Sequence, residues 1–174
     1  MDFSWRFDSW FDRLPDSPAD SGRVRRLVVR PSRGARETPE SIHVSPEGGV
    51  AGDRWSDDDR GRPGAQVSLI NIHVLDSISG GDESLAPLSG DNLHVDLDLS
   101  EANLPVGTQL RIGSAVLEVS PDMHRPCGSF VERYGAKAAK KVARATRIGR
   151  RGRGVLCRVV TEGDVRVGDE IRVR

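Results

Sequence analysis

The residues best suited to chemistry are Met123-His124-Arg125-Pro126-Cys127. A cysteine thiolate is both a nucleophile and a soft metal ligand, and several neighbours favour the thiolate over the thiol. Arg125 and His124 bring positive charge. Two residues on, Ser129-Phe130-Val131-Glu132 matches a capping box, in which Ser caps a helix and Glu reaches back. That spacing puts Cys127 just outside a helix N-terminus, where free N–H groups and the macrodipole favour an anion. Pro126 fixes its own φ and restricts Arg125, so the approach to the thiol is stiff. The plainer alternative is a small buried hydrophobe. A zinc site built on His124 and Cys127 lacks ligands, because structural zinc takes four and catalytic zinc at least three.

Other candidates surround this one in sequence. Arg54 follows Gly52-Asp53 in a tight turn, where its fork can grip a phosphate or carboxylate, or simply pair with Asp53. Asp57-Asp58-Asp59 can offer oxygens to a divalent cation, but adjacent side chains point apart, which suits a solvated loop. Asn92 can hydrogen-bond a heterocycle edge or only its own turn. From Arg133 to Arg153 there are nine Lys or Arg and no acid. Lys137, Lys140, Lys141 and Arg144 share one helical face, which is either solvated or a seat for an anionic ligand or acidic partner. Arg150-Arg151-Gly152-Arg153-Gly154 reads as a basic loop with exposed N–H groups, a candidate phosphate clamp. His43 and His73 read as surface residues. Cys157 alternates with Val155 and Val159, so it faces a core as an inert thiol.

The elements that must position these residues are short. Phe3, Phe7, Trp10, Phe11 and Leu14 recur at helical spacing and predict an amphipathic helix stopped by Pro15, packed on the barrel or on a second subunit. A polar linker runs to Gly22. Strands are predicted at Val24–Val29, Ile42–Val44, Gln66–Ile70, His94–Leu97, Leu110–Ile112, Val116–Val119, Val155–Val160 and Glu170–Val173. Gly113-Ser114 suits a type II′ hairpin turn. Asn71 is placed to cap a helix that turns Ile72, Leu75 and Ile78 inward. After Cys127 a capped helix stops at Gly135, and a second runs from Ala136 to Arg147. The fold class expected is mainly β (α+β), a barrel with a few peripheral helices. The division expected is residues 1–22 as helix and linker, and 23–174 as barrel.

Composition narrows the function classes. The chain has 174 residues, enough for one domain with a real core. Its 26 Lys plus Arg balance 26 Asp plus Glu, which argues against a whole-protein nucleic-acid or membrane-surface role. Two cysteines fit a reducing compartment, and the cytoplasm is expected. No apolar run approaches the ~20 residues of a membrane span.

Seven pieces then come in family order: Gly52-Asp53-Arg54, Gln66-Val67-Ser68-Leu69, Gly90-Asp91-Asn92-Leu93, Leu104-Pro105-Val106-Gly107, Arg111-Ile112-Gly113, Pro126-Cys127 and Val165-Arg166-Val167-Gly168-Asp169. Together they resemble the MOSC domain, named for the C-terminal domain of molybdenum cofactor sulfurases, over roughly residues 24–174. The resemblance implies a β-barrel and an association with the molybdenum cofactor (molybdopterin), a phosphate-bearing pyranopterin. Pyridoxal phosphate is not expected. By position, Cys127 matches the family cysteine that binds molybdenum or carries sulfur. Arg54, Asn92, His124, Arg125, Arg150 and Arg151 are the expected holders of the pterin or its phosphate. The family often has His where this chain has Trp55. Its two-part reductases, such as the mitochondrial amidoxime-reducing component, carry an additional N-terminal domain that this chain is too short to hold. There is no ferredoxin-type cluster or flavin motif, so a reductase here needs a separate electron-donor protein. Three functions follow: a molybdenum-dependent reductase of N-hydroxylated or N-oxide compounds, a sulfur carrier using a Cys127 persulfide, or a non-catalytic module that binds an anion or pterin.

Overall fold

The computed structural model describes residues 9–58 and 62–174. Phe3 and Phe7 of the predicted first helix, and Asp59 of the acidic run, lie outside them. Among the described residues, ten strands alternate with helices: β1 (Ser21–Leu27), β2 (Ser41–Ser45), β3 (Gly49–Val50), β4 (Val67–Asn71), β5 (Leu93–Asp96), β6 (Gln109–Ile112), β7 (Ala115–Val119), β8 (Val155–Thr161), β9 (Gly163–Arg166) and β10 (Glu170–Val173). Seven close into a barrel in the order β1-β10-β6-β7-β8-β4-β5, and β3-β2-β9 form a small separate sheet. The predicted mainly-β barrel is therefore the observed fold. β5 and β1 complete the ring, pairing Val24 with Val95 and Leu27 with Leu93.

Alternation decides which face each strand buries. In β2, Ile42 and Val44 are buried while Ser41 and His43 are exposed. β4 is buried along nearly its whole length, because both its faces are covered. Leu69 points into the barrel with Val24, Leu93, Leu117 and Ile171. Ile70 points outward into a second core with Val74, Leu75, Phe130 and Val142. That second core belongs to a helical layer made of residues 9–12 (α1), α3 (Ile72–Ile78) and α4 (Gly128–Arg147), while α2 (Trp55–Asp58) lies apart, against Gly49 of β3. β4 and β5 run parallel, and α3 with the 3₁₀ segment Glu83–Ser89 makes the crossover. Asn71 caps α3 as predicted, accepting from the His73 N–H at 2.8 Å. Trp10 is buried in the helical core rather than among the barrel strands, and its indole N–H donates to Ser77 Oγ at 2.9 Å.

The β6–β7 hairpin turns at Gly113, where φ is +57°, as the first position of a type II′ turn requires. A Cβ there would also meet the Asp164 carbonyl oxygen. β7 then hands the chain to the loop that carries Cys127.

Candidate functional site

α4 begins two residues earlier than the capping-box pattern predicts. Cys127, not Ser129, is the N-cap, with φ −102° and ψ 175°, and no side chain caps the helix. Its carbonyl accepts the first helical hydrogen bond, from Val131 N at 3.1 Å. The backbone N–H groups of Gly128, Ser129 and Phe130 precede that bond, so the helix end beside the thiol is left to solvent or a ligand. Gly135 breaks the helix at φ 85°, ψ 160°, an extended positive-φ conformation open essentially to glycine. The first half is clamped to the 3₁₀ segment: Arg133 donates to the Leu88 carbonyl at 2.8 Å and the Tyr134 hydroxyl to the Leu85 carbonyl at 2.7 Å.

Cys127 is exposed and opens into a cavity of about 410 Å³ lined also by Arg30, Arg36, Arg54, Arg62, Arg125, Arg133, Arg153 and His124. Seven arginines from five separate segments thus share one cavity with the thiol. Gly90, at φ +77°, admits two of them: a Cβ there would sit 3.1 Å from Arg36 Nη2 and 3.5 Å from Arg30 Cδ. Burial, followed by the charges of Arg133, Arg30 and Arg54, pulls Arg36 below the ordinary guanidinium range, with Asp53 pulling the other way. An anion in the cavity relieves that crowding.

Two buried carboxylates hold the wall in place. Asp53 accepts from Arg30 Nη2 at 2.7 Å, Arg30 Nε at 3.0 Å and the Arg30 N–H at 2.9 Å. Burial pushes Asp53 up, but the hydrogen bonds and charge of Arg30 outweigh it and hold the carboxyl below its usual range. Asp91 is fully buried and accepts from Arg153 Nη1 at 2.6 Å. Burial opposes its charge too, and the Arg153 guanidinium keeps it ionised. Arg153 stacks over the Phe130 ring at 4.8 Å.

This pocket also carries unmet polar groups. Among the described residues, Arg36 Nε, Arg153 Nε, His124 Nδ1 and Asp91 Oδ1 are buried without a hydrogen-bond partner. His124 Nδ1 and Asp91 Oδ1 face each other at 3.5 Å. Burial, then Arg153, pulls His124 down to about 3, so it is neutral at pH 7. Buried groups left unpaired are costly.

The structure brings Cys127, His124, Arg125 and Arg54 together in this pocket and leaves the other expected residues out. Asn92 sits behind the wall, buried: its amide donates to the Asp53 carboxylate at 3.1 Å and the Val28 carbonyl at 3.2 Å, and its oxygen accepts from the Ser68 N–H at 3.1 Å. It positions Asp53 and has no reach to a ligand. Arg150 points to the far side of the helical layer, pairing with Asp12 at 2.9 Å over the Phe11 ring. Arg151 donates to the Leu104 carbonyl at 2.6 Å. Neither lines the pocket; the arginine of that loop that does is Arg153. Gly152 packs on α4 and Gly154 on β4 so closely that a Cβ at either would collide with backbone. This tight seat turns Arg153 inward. Trp55, buried against Gly49, donates to the Arg62 carbonyl at 3.2 Å and so ties Arg62 to the residue next to Arg54. Arg30, Arg36, Arg62, Arg133, Arg153 and Asp91 carry no local pattern, since they meet only through barrel closure.

Comparison with known proteins agrees with this fold. Among solved structures, the YuaD protein from Bacillus subtilis superposes with a TM-score of 0.62 at 23% identity, covering 88% of this chain and 95% of that one. YiiM from Escherichia coli gives 0.58 at 19% identity, over 87% and 69% of the two chains. YiiM from Geobacillus stearothermophilus gives 0.58 at 14%, over 88% and 75%. These similarities establish the shared fold. A search of curated protein sequences gives no significant match. The sequence profile of the MOSC domain matches residues 56–172, so the Gly52-Asp53-Arg54 turn lies just ahead of it. With about two thirds of its length matched and the barrel in place, this chain belongs to the MOSC domain family, which is associated with the molybdenum cofactor.

Proposed function

We propose that the Cys127 pocket holds the molybdenum cofactor and that the loaded protein reduces N-hydroxylated or N-oxide compounds with electrons from a separate donor protein. The observation that carries this reading is an exposed thiol sharing one 410 Å³ cavity with seven arginines. The residues fit the group. Among the described residues, no set of three or more His, Cys, Asp or Glu stands where it can hold a metal ion. The protein therefore offers one soft thiolate, and the other ligands must arrive with the metal, as they do in a chelating pterin. Arg36, Arg54, Arg62 and Arg133 suit the phosphate, being rigid forks that can bind it in pairs. Arg36 Nε and Arg153 Nε have no hydrogen-bond partner among the described residues and can turn to polar edges of the ligand. The chemistry the cofactor supplies when bound is two-electron transfer at molybdenum.

The reduction breaks an N–O bond. Two electrons and two protons convert N–OH to N–H and water, and the donor is oxidised by two electrons. The chain's own contribution is electrostatic. The arginines hold the anion, Asp91 fixes Arg153, and the neutral His124 ring stands beside the thiol loop, where it can orient a polar group or pass a proton. A sulfur carrier needs the thiol but has no use for a phosphate cradle, so the arginine wall favours the cofactor reading.

Purification from a cofactor-competent host decides between them. The expected result is about one molybdenum and one pterin per chain. Cys127→Ser should lose the metal, and Arg36→Glu should lose pterin and metal together. Intact mass showing an added sulfur on Cys127 without molybdenum would give the sulfur-carrier function instead. Protein with neither addition would leave the proposal without support.

A further inference from the structure

Beside the arginine pocket lies a second, larger cavity of about 680 Å³, the size of a site for a small organic molecule. Its floor is apolar, formed by Val131, Ala136, Ala139 and Ala143 of α4. Met123 and Arg125 line both cavities, and Pro126 lines this one while its neighbour Cys127 lines the other. Met123 and Val131 are 55% and 39% exposed, so this apolar surface stands open to solvent directly beside the thiol. The rim is cationic: Arg125, Lys140 and Arg147 line it. None of the three has a carboxylate partner among the described residues. The one acid of the lining, Glu101, faces the cation of Arg151. An apolar floor under uncompensated positive charge complements a molecule with an apolar body and an anionic group, and repels a cation of the same shape.

We infer that this groove is the substrate site, and that the substrate is an organic acid whose apolar body lies along α4 while its N–O group reaches past Met123 toward Cys127. The word substrate rests on the cofactor reading above; the groove's preference for an apolar anion does not. The test therefore has two arms.

The first measures binding of 2-naphthoate, 2-naphthamide and 2-naphthylmethylammonium to the cofactor-free full chain by titration calorimetry. Naphthoate should bind at least tenfold tighter than the amide, and the ammonium should not bind detectably. Ala143→Phe, which fills the floor, and Lys140→Glu/Arg147→Glu, which reverses the rim, should each weaken naphthoate at least tenfold. Arg36→Glu, in the neighbouring pocket, should leave that binding unchanged. Equal affinity for all three probes overturns the inference, as does naphthoate binding lost in Arg36→Glu but kept in Ala143→Phe.

The second arm uses cofactor-loaded protein with reduced viologen as electron donor. An aromatic N-oxide bearing a carboxylate should show a KM at least tenfold below that of its methyl ester. Ala143→Phe should remove that advantage while molybdenum content stays at the wild-type level. An unchanged KM ratio in Ala143→Phe refutes the substrate role, whereas a failure to load molybdenum in the wild type refutes only the cofactor reading and leaves the first arm decisive for the groove.

Discussion

The two cysteines divide the molecule. Cys157 sits in β8, fully buried among the aliphatic side chains of the barrel. Burial pushes its thiol up to about 12. Cys127 is exposed at a helix N-cap and shares its cavity with seven arginines. The barrel interior is apolar throughout and its backbone groups pair in the ladders. The pocket wall instead gathers ionic groups and leaves several polar atoms unmet. The first environment buys stability through burial alone. The second stores unsatisfied interaction capacity at one end of the same strands, where polar groups unpaired without a ligand are the expected sign of a site.

The sharpest test of that contrast is chemical. Maleimide labelling of the native protein should modify Cys127 at once. Cys157 should react at least about a thousandfold more slowly, because it requires an opening close to global unfolding, which costs about 5–15 kcal/mol. Comparable labelling of both would erase the distinction. Next in size is the ionic wall. Asp91→Ala leaves Arg153 buried beside Phe130 with no carboxylate, and chemical denaturation should show a loss of about 3–5 kcal/mol. A cost near zero would mean that the wall relaxes as easily as a surface.

Smaller is the effect of His94, buried in β5, with Arg26 Nη1 3.3 Å from its Nδ1 and Asp91 and Arg153 as its other charged neighbours. Burial pulls its pKa from 6.5 down to about 4. Between those values the unfolded chain takes up a proton that the folded one refuses. Stability therefore falls as pH drops from about 6.5 to 4, by up to about 1.4 kcal/mol per unit, and His94 contributes no loss above 6.5. His124 acts with the same sign, so His94→Gln should reduce the slope of stability against pH without abolishing it. The smallest effect is at Glu132. Because α4 starts at Cys127, Glu132 takes no part in a cap, and Glu132→Ala should change stability by less than about 0.5 kcal/mol in the same denaturation assay.

Glu132 also shows where sequence reading stops. The Ser129-to-Glu132 pattern is genuine, yet the exit from the 120–127 loop sets the helix start, and a local pattern holds no record of that. The strands read well because alternation is local: Ile42 and Val44, or Leu110 and Ile112, announce their face within a few residues. The small strand β9 did not, because Val165 is its only buried residue and its partner β2 lies more than a hundred residues away. The site divides in the same way. Cys127 stands out by its neighbours Pro126 and Arg125. Arg150, Arg151 and Arg153 look alike in a Gly-rich run, and only the close packing of Gly152 and Gly154 decides which one turns inward. Asn92 reads as bonding its own turn, but its side chain grips Asp53, Val28 and Ser68, partners that only the pairing of distant strands supplies.

Ring closure has a kinetic consequence. β1 is held on one side by β10, Ser21 opposite Arg172, and on the other by β5. During synthesis β1 waits until β10 is made before its second neighbour exists. Until then it presents an unpaired edge, with Val24 and Leu27 uncovered. Such long-range pairing folds slowly. The nascent chain therefore carries this aggregation-prone edge until β10 emerges and pairs with β1, and the ring that backs the arginine pocket closes only at that step.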